Sequence, residues 1–312
     1  MNNPKIMICS SGAPVIRNEI ELSEIISSDL FWDPFDLPLV LRGLRRLHFS
    51  SLAPFKDKWL PSFNSINSVE NIIIFDGLLS ELTLPHIRKI TDAKITYYFW
   101  NPIKKKCPLN KISNLADSVV TFDPDDAKKF GLNYFDAFSA SISFVNSKNR
   151  QKLNPVYDLS FVGKSKGRLD KINEISRICN RIDINFFLYV LGSLNESRQF
   201  SFVKTKPLAH SDYEQIFLTS RAILDLTAPG QRGITVRGLQ ALAQGVKVIT
   251  DNPNLLSLID EQTSKNVMIV EDFFESSSQE RKDFLKSEYV GSGDLIKSKF
   301  GFDNWLLNLI KI

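Results

Sequence analysis

Short apolar runs alternate with amphipathic stretches along most of this chain. The runs are rich in β-branched and aromatic residues and are bounded by turn residues, as expected of parallel strands that are buried on both faces. Segments between them, such as 85–91 and 123–130, are predicted to be helices, and Asp123 followed by Pro124 is a typical helix start. The predicted strands are Lys5–Cys9, Asn71–Phe75, Lys94–Phe99, Ser118–Thr121, Leu159–Val162, Asn185–Leu191, Ala222–Leu226, Val246–Thr250 and Val267–Ile269.

Both halves of the chain show this alternation, which predicts an α/β protein with two Rossmann-like, doubly wound parallel sheets. The polar, basic stretch 146–155 has no strand pattern and indicates the junction between them. We therefore predict domains at residues 1–150 and 151–312. The segment 304–312 is predicted to be an amphipathic helix that could pack back across the junction.

Composition narrows the possible functions. The three cysteines and three histidines are scattered, which argues against a disulfide framework or a metal site and suits a reducing compartment. The net charge of +4 mildly favours an anionic partner, such as a nucleotide or a lipid surface. The sequence shows neither a signal peptide nor an apolar run of membrane-spanning length, so we expect a cytoplasmic protein.

The most informative segment is 230–250, which predicts a glycine-rich loop, a helix that begins near Thr235, a glycine stop and a buried strand. A helix N-terminus behind a glycine loop favours anions, because its free N–H groups and its dipole point at the ligand. Thr235 is a suitable cap, and Arg232 and Arg237 add guanidinium groups suited to a diphosphate. The alternative is an ordinary loop–helix–strand unit.

A second glycine-rich turn, Gly163–Arg168, follows the first predicted strand of the second half. Lys164, Lys166 and Arg168 make it strongly cationic. The turn matches neither the GxGxxG pattern nor a P-loop, so it supports neither dinucleotide binding nor NTP hydrolysis. On its own it could be a solvated basic turn. In a doubly wound domain, however, both glycine-rich loops can face one crevice and converge on a diphosphate.

Four segments carry a resemblance to a known family: Val120–Ala127, Tyr157–Gly163, Ile223–Leu226 and Gly230–Asn252. The last is the most specific and matches the pattern Gly-Gln-x-Gly-(Leu/Ile)-Thr-x-Arg-x-x-Glu-Ala-Leu, followed by a glycine and an apolar strand. In these segments, which cover less than half of the chain, the sequence resembles bacterial GT-B glycosyltransferases of lipopolysaccharide and capsular polysaccharide assembly.

The resemblance implies two Rossmann-like domains that face a cleft, with the nucleotide-sugar donor held mainly by the second domain and the acceptor by the first. It also implies that no metal is obligatory and that no cofactor is needed beyond the donor substrate. The family's acidic residue that grips the donor ribose falls on Gln240, which is neutral and donates as well as accepts hydrogen bonds. The family's donor loop maps onto Gln231, Arg232, Gly233, Thr235 and Arg237. Tyr213 could stack on the base or bind the ribose, or could simply lie on a helix surface.

The catalytic base would come from the first half if the reaction inverts the anomeric configuration, because an acceptor hydroxyl then needs a carboxylate or histidine within reach. Asp76, just past an apolar strand, is one candidate, and Glu19 is another. Asp76 could equally be a turn-forming residue before Gly77. The segment 31–49 mixes aromatics, leucines and arginines, which suits either docking on an anionic membrane or a core-facing helix.

Taken together, these features predict a metal-independent glycosyltransferase that moves a sugar from a nucleotide-diphosphate donor to a surface-glycan or lipopolysaccharide acceptor. We expect it to act at the inner face of the cytoplasmic membrane, peripherally attached, with no nucleic-acid partner. Two alternatives stay open: a nucleotide-sugar 2-epimerase, and a catalytically silent nucleotide- or glycan-binding protein of GT-B descent.

Overall fold

The computed structural model describes residues 5–10, 14–26, 31–32, 66, 69–77, 80–141 and 154–312. The predicted basic segment 31–49 lies outside these residues apart from Phe31 and Trp32, and most of the predicted junction 146–155 also lies outside them. Among the described helices, none combines the length and the apolar character that a membrane span requires.

The first unit contains a parallel sheet with the strand order β2-β1-β3-β4-β5-β6. The strand order reverses between β1 and β3, which is where open α/β sheets bind ligands. Its strands are β1 (Ile6–Cys9), β2 (Phe31–Trp32), β3 (Asn71–Phe75), β4 (Lys94–Phe99), β5 (Ser118–Thr121) and β6 (Asn133–Tyr134). The helices described between residue 5 and β6 are α1 (Pro14–Leu22), α2 (Ser80–Ile90), α3 (Leu109–Ser113) and α4 (Pro124–Phe130).

The start of α4 shows why the sequence predicts this helix. The carboxylate of Asp123 accepts hydrogen bonds from the backbone N–H groups of Asp125 and Asp126, at 3.0 and 3.3 Å. Pro124 occupies the first turn, where its missing N–H costs nothing. The helix ends at Gly131, whose φ of 64° is the left-handed conformation that glycine adopts readily. The predicted helix at 123–130 is therefore confirmed.

The second unit contains a second parallel sheet, with the strand order β12-β11-β10-β7-β8-β9. This is the order of a Rossmann fold, and it reverses between β7 and β10. The strands are β7 (Tyr157–Lys164), β8 (Phe186–Leu191), β9 (Val203–Lys204), β10 (Ser220–Asp225), β11 (Lys247–Thr250) and β12 (Val267–Ile269).

Helices connect these strands and cover the sheet. Apolar residues of three of these helices, among them Ile172, Phe273 and Leu285, pack with β7 and β10 in one buried cluster. The helices of this unit are α5 (Leu169–Arg181), α6 (Leu194–Gln199), α7 (His210–Leu218), α8 (Val236–Ala243), α9 (Asn254–Ser257), α10 (Glu261–Ser264), α11 (Val270–Glu275), α12 (Ser278–Lys286) and α13 (Asp294–Phe300).

The final helix, α14 (Phe302–Leu309), belongs to the first unit. The chain divides into residues 1–136 with 302–312, and residues 137–301. The predicted domains, 1–150 and 151–312, meet at one boundary. In the structure the chain passes from the first unit to the second after residue 136 and returns to the first unit after residue 301. Trp305 is buried and lies 5.0 Å from the Tyr98 ring and 6.0 Å from the Phe75 ring, centroid to centroid. Its indole N–H donates to the carbonyl of Asp136 at 2.7 Å, so the helix completes the first unit's aromatic core.

Replacing Trp305 tests this contribution. We expect Trp305→Ala to lower the free energy of unfolding by about 3–5 kcal/mol, because it leaves a large cavity and removes one of the two hydrogen bonds that the Asp136 carbonyl accepts, the other coming from Tyr98. Urea denaturation followed by circular dichroism measures the change. Leu295→Ala, at a side chain that is 62% exposed, is the control and should change stability by less than about 0.5 kcal/mol. Equal effects of the two substitutions would contradict the assignment of α14 to the core.

Candidate functional site

The two predicted glycine-rich loops meet at the carboxyl ends of β7 and β10, where the order of the second sheet reverses. A Cβ atom added to Gly167 would lie 3.3 Å from the Pro229 ring, so the two loops are in close contact. Gly167 and Gly230 have φ values of 75° and 80°, a conformation that favours glycine. The structure therefore brings together the two loops that the sequence singled out.

A pocket of about 320 Å³ opens at this edge of the sheet. Both loops and the end of β11 form its walls, and the side chains of Arg168, Lys171 and Arg232 give the walls positive charge. The lining residues are Gly167, Arg168, Lys171, Thr227–Arg232, Asp251 and Asn252. The volume lies at the lower end of the range for small-molecule sites.

Arg168 ties the two loops together. Its buried guanidinium donates to the backbone carbonyls of Leu226, Lys164 and Ser165. Burial and, to a smaller extent, the nearby charge of Arg237 lower the pKa of Arg168 to about 10, while Asp225 and Asp251 oppose the shift. The sequence predicts that Arg168 holds a ligand; in the structure it lines the pocket, and its hydrogen bonds join the turn after β7 to the loop after β10.

The loop after β10 is held by polar residues that follow β11. The amide of Asn252 donates to the carbonyls of Arg232 and Gly233, at 2.9 and 3.1 Å. The carboxylate of Asp251 accepts from both the N–H and the hydroxyl of Thr227, and it pairs with Lys171 at 3.1 Å. Sequence reasoning missed these residues, although their position just past a buried strand was a usable signal.

Helix α8 begins as predicted, with Thr235 as its cap. The Thr235 hydroxyl accepts from the N–H of Gly238 at 3.0 Å and donates to the carboxylate of Asp225 at 2.7 Å. Arg237 pairs with the same carboxylate at 3.3 Å. A Cβ on Gly238 would lie only 2.8 Å from an Asp225 oxygen, so glycine makes room for the acid. The helix N-terminus, predicted to be a site for a ligand's anion, already faces the carboxylate of Asp225.

Arg237 reaches from α8 to the end of β7. A Cβ added to Gly163 would be 3.0 Å from the Arg237 guanidinium, so the absence of a side chain at Gly163 admits the arginine. The guanidinium carbons of Arg237 and Arg168 lie 5.2 and 5.3 Å from the centre of the Phe161 ring. Two guanidinium groups therefore lie against the same aromatic ring where the strand order of the second sheet reverses. The carboxylate of Asp225 neutralises part of their positive charge.

Gln240 is only 4% exposed. Its amide oxygen accepts from the hydroxyl of Tyr213 at 2.8 Å, and its nitrogen donates to the carbonyl of Ser141 at 3.3 Å. Each end of the amide therefore makes one hydrogen bond within the protein. Tyr213 is half-buried and stacks on His210, with ring centroids 5.9 Å apart.

The remaining predicted donor-site residues divide into two groups. The side chains of Lys164, Lys166 and Arg232 are exposed. Gln231 is half-buried and donates to the carbonyl of Gly233 at 3.1 Å, so it shapes its own loop. Among the described residues, no cluster of three histidine, cysteine or acidic side chains is placed to hold a metal ion.

Asp76 lies just past β3, beside the point where the order of the first sheet reverses. Its carboxylate accepts from the backbone N–H of Trp100 at 2.8 Å and from the amide of Asn101 at 3.4 Å. Burial raises the pKa of Asp76 to about 6, and these hydrogen bonds and Lys104 oppose the increase. Glu19, on α1, is 2% exposed, which leaves its carboxylate little access to a substrate.

Comparison with solved structures finds proteins that are similar to this chain in fold at low sequence identity. No protein-family model and no curated protein sequence matches it. The sucrose-phosphate synthase from Thermosynechococcus elongatus is 9% identical, with a TM-score of 0.52 over 99% of this chain and 98% of that one. An alpha-glucosyltransferase in complex with UDP and a 13-mer DNA is 12% identical, with a TM-score of 0.52 over 98% and 95%.

The UDP-GlcNAc 2-epimerase from Methanocaldococcus jannaschii is 11% identical, with a TM-score of 0.43 over 98% of both chains. At these identities the similarity concerns the fold. The two all-parallel sheets and the similarity to the first two enzymes confirm the prediction of a GT-B fold with two Rossmann-like domains.

The contacts of Gln240 predict the effect of restoring the family's acid. Gln240→Glu removes the N–H that reaches Ser141 and buries a carboxylate beside a carbonyl oxygen. We expect a loss of about 1–3 kcal/mol in the free energy of unfolding at pH 7, measured by urea denaturation. Gln215→Glu, at an exposed position on α7, should have little effect. A stable Gln240→Glu protein with higher nucleotide affinity would instead show that this residue faces the donor.

Proposed function

We propose that this protein is a glycosyltransferase that uses a nucleoside-diphosphate sugar as its donor. The observation that carries the proposal is the pocket at the reversal point of the second sheet, between the two glycine-rich loops. Its cationic side chains suit a diphosphate, and Gly167 and Gly230 let the backbone approach a ligand closely. The GT-B fold supports the proposal because this crevice is the place where such domains bind ligands.

The chemistry of sugar transfer fits this charge distribution. Breaking the bond between the sugar and the diphosphate leaves negative charge on the leaving phosphate. Arg232 and Lys171 at the pocket, with Lys164 and Lys166 on the adjoining turn, would stabilise this charge without a metal ion. Arg168 and Arg237 would support them by holding the crevice open.

Asp76 is the group that we propose as the general base for the acceptor hydroxyl. Burial keeps its pKa close to the working range of a base, and it lies at the ligand-binding edge of the first sheet. We propose a surface glycan or lipopolysaccharide acceptor, reached from the cytoplasmic face of the membrane. That part of the proposal rests on the sequence resemblance of the four motif segments.

Replacing Arg232 tests the donor site. We expect Arg232→Ala to weaken the binding of the matching nucleoside diphosphate roughly 10- to 100-fold, since it removes one charge-assisted contact. The loop should keep its shape, because Asn252 and Asn254 hold the backbone carbonyl at this position and not the side chain. Titration calorimetry with UDP, GDP, CDP and dTDP measures the affinities.

Arg221→Ala is the matched control, because Arg221 lies at the opposite end of β10 and pairs with Asp158. Its affinity should equal that of the wild type. If none of the four nucleotides binds the wild-type protein, the donor proposal is wrong.

Replacing Asp76 tests the base. We expect Asp76→Asn to lower kcat by roughly 100-fold or more, with unchanged nucleotide affinity. In the wild type, kcat/KM should fall about tenfold per pH unit below pH 6, because the carboxyl is then protonated. Donor turnover with a lipid-linked acceptor mixture measures both. Glu19→Gln is the comparison, and a larger loss there than in Asp76→Asn would transfer the role to Glu19.

A further inference from the structure

The carboxylate of Asp225 occupies a place that would suit a phosphate group. Asp225 is 2% exposed and lies at the carboxyl end of β10. It accepts the hydroxyl of Thr235, pairs with Arg237, and lies at the start of α8, where the helix dipole favours a negative charge. A hydroxyl, a guanidinium and a helix N-terminus are the groups that proteins use to bind phosphates.

Charged or titratable side chains from four parts of the second unit surround Asp225. Arg237 approaches from α8 and Arg168 from the turn after β7, while Asp251 lies after β11 and Tyr213 on α7. Burial raises the pKa of Asp225, whereas Arg237, the hydrogen bond from Thr235 and Arg168 lower it, and Asp251 raises it. The carboxylate is thus stabilised in its charged form mainly by Arg237 and by the hydrogen bond from Thr235, with a smaller contribution from Arg168.

A diphosphate that enters this edge of the sheet adds negative charge next to these arginines. The added charge competes for Arg237 and repels the carboxylate, and both effects favour the protonated form of Asp225. A protonated carboxyl can still hydrogen-bond Thr235, so the start of α8 stays capped.

We propose that Asp225 is a positioning residue for the donor, which holds Arg237 and Thr235 until the diphosphate arrives and then takes up one proton from solvent. Donor binding is therefore coupled to proton uptake, and it weakens as the pH rises. This inference rests on the proposed function, because it assumes that a nucleoside-diphosphate sugar binds beside Arg237. The proton comes from hydronium or a buffer acid, whose bond to that hydrogen breaks as the new O–H bond of Asp225 forms, and no other covalent bond changes.

Titration calorimetry with UDP-glucose, GDP-mannose and dTDP-glucose tests the coupling. Each phosphate of these ligands carries one ester and one anhydride bond and keeps a single, strongly acidic ionisable group, so the ligands do not change charge between pH 6 and 8. Measurements in buffers with different ionisation enthalpies give the number of protons taken up. We expect an uptake that approaches one proton, and a dissociation constant that rises by up to about tenfold per pH unit.

Asp225→Asn keeps the shape of the side chain and an acceptor oxygen for Thr235, but it cannot titrate. We expect this variant to bind donor without proton uptake and with an affinity independent of pH. Asp123→Asn is the matched control, because Asp123 is also a buried aspartate and it caps a helix of the first unit. That variant should keep the proton uptake of the wild type.

An infrared difference spectrum of the wild type on donor binding gives a second readout that does not depend on a folded variant. It should gain the C=O stretch of a protonated carboxyl. If a donor binds without proton uptake, or if Asp225→Asn still takes up a proton, the role of Asp225 is wrong and the proposed function stands. If no donor binds at any pH, both proposals fail. A merely structural Asp225 would affect stability but not the proton count.

Discussion

The geometry of the second unit's site depends on one buried carboxylate. Asp225 ends strand β10 inside the protein, where an unpaired charge would be costly. It obtains its partners from the first turn of α8: the hydroxyl of Thr235 and the guanidinium of Arg237. The same carboxylate excludes any side chain at position 238. Asp225 thereby fixes the start of α8 through Thr235, orients the side chain of Arg237 and requires glycine at position 238.

Arg168 applies a second constraint from the other side of the crevice. Arg168 donates to carbonyls of both the turn after β7 and the loop after β10, and these hydrogen bonds hold the two segments at a fixed separation. The cationic residues of this region thus have two different tasks. Arg168 and Arg237 build the walls, whereas Lys164, Lys166 and Arg232 leave their side chains on the surface.

The sequence predicted the repeated strand–helix architecture because buried parallel strands produce continuous apolar runs. It missed β2, β6 and β9, which are two residues long and too short to produce such a run. It singled out both loops of the candidate site through their glycines and basic residues. It did not distinguish wall-building arginines from exposed ones, since that difference depends on partners that only the fold brings together, such as the carbonyl of Leu226 for Arg168 and the carboxylate of Asp225 for Arg237. Asn252 and Asp225 were missed for the same reason, because their partners are set by the strand order.

The return of α14 to the first unit has a consequence for how the chain folds during synthesis. Residues 137–301 form one complete unit, and they leave the ribosome before Trp305 does. The first unit, although it is made first, lacks the indole that fills the space beside Phe75 and Tyr98 until synthesis has passed residue 305. Domains usually mature in the order of their synthesis, but here the second unit can reach its native core earlier. Stalled or C-terminally trimmed chains would therefore expose the aromatic core of the N-terminal unit while the later-synthesised unit stays intact.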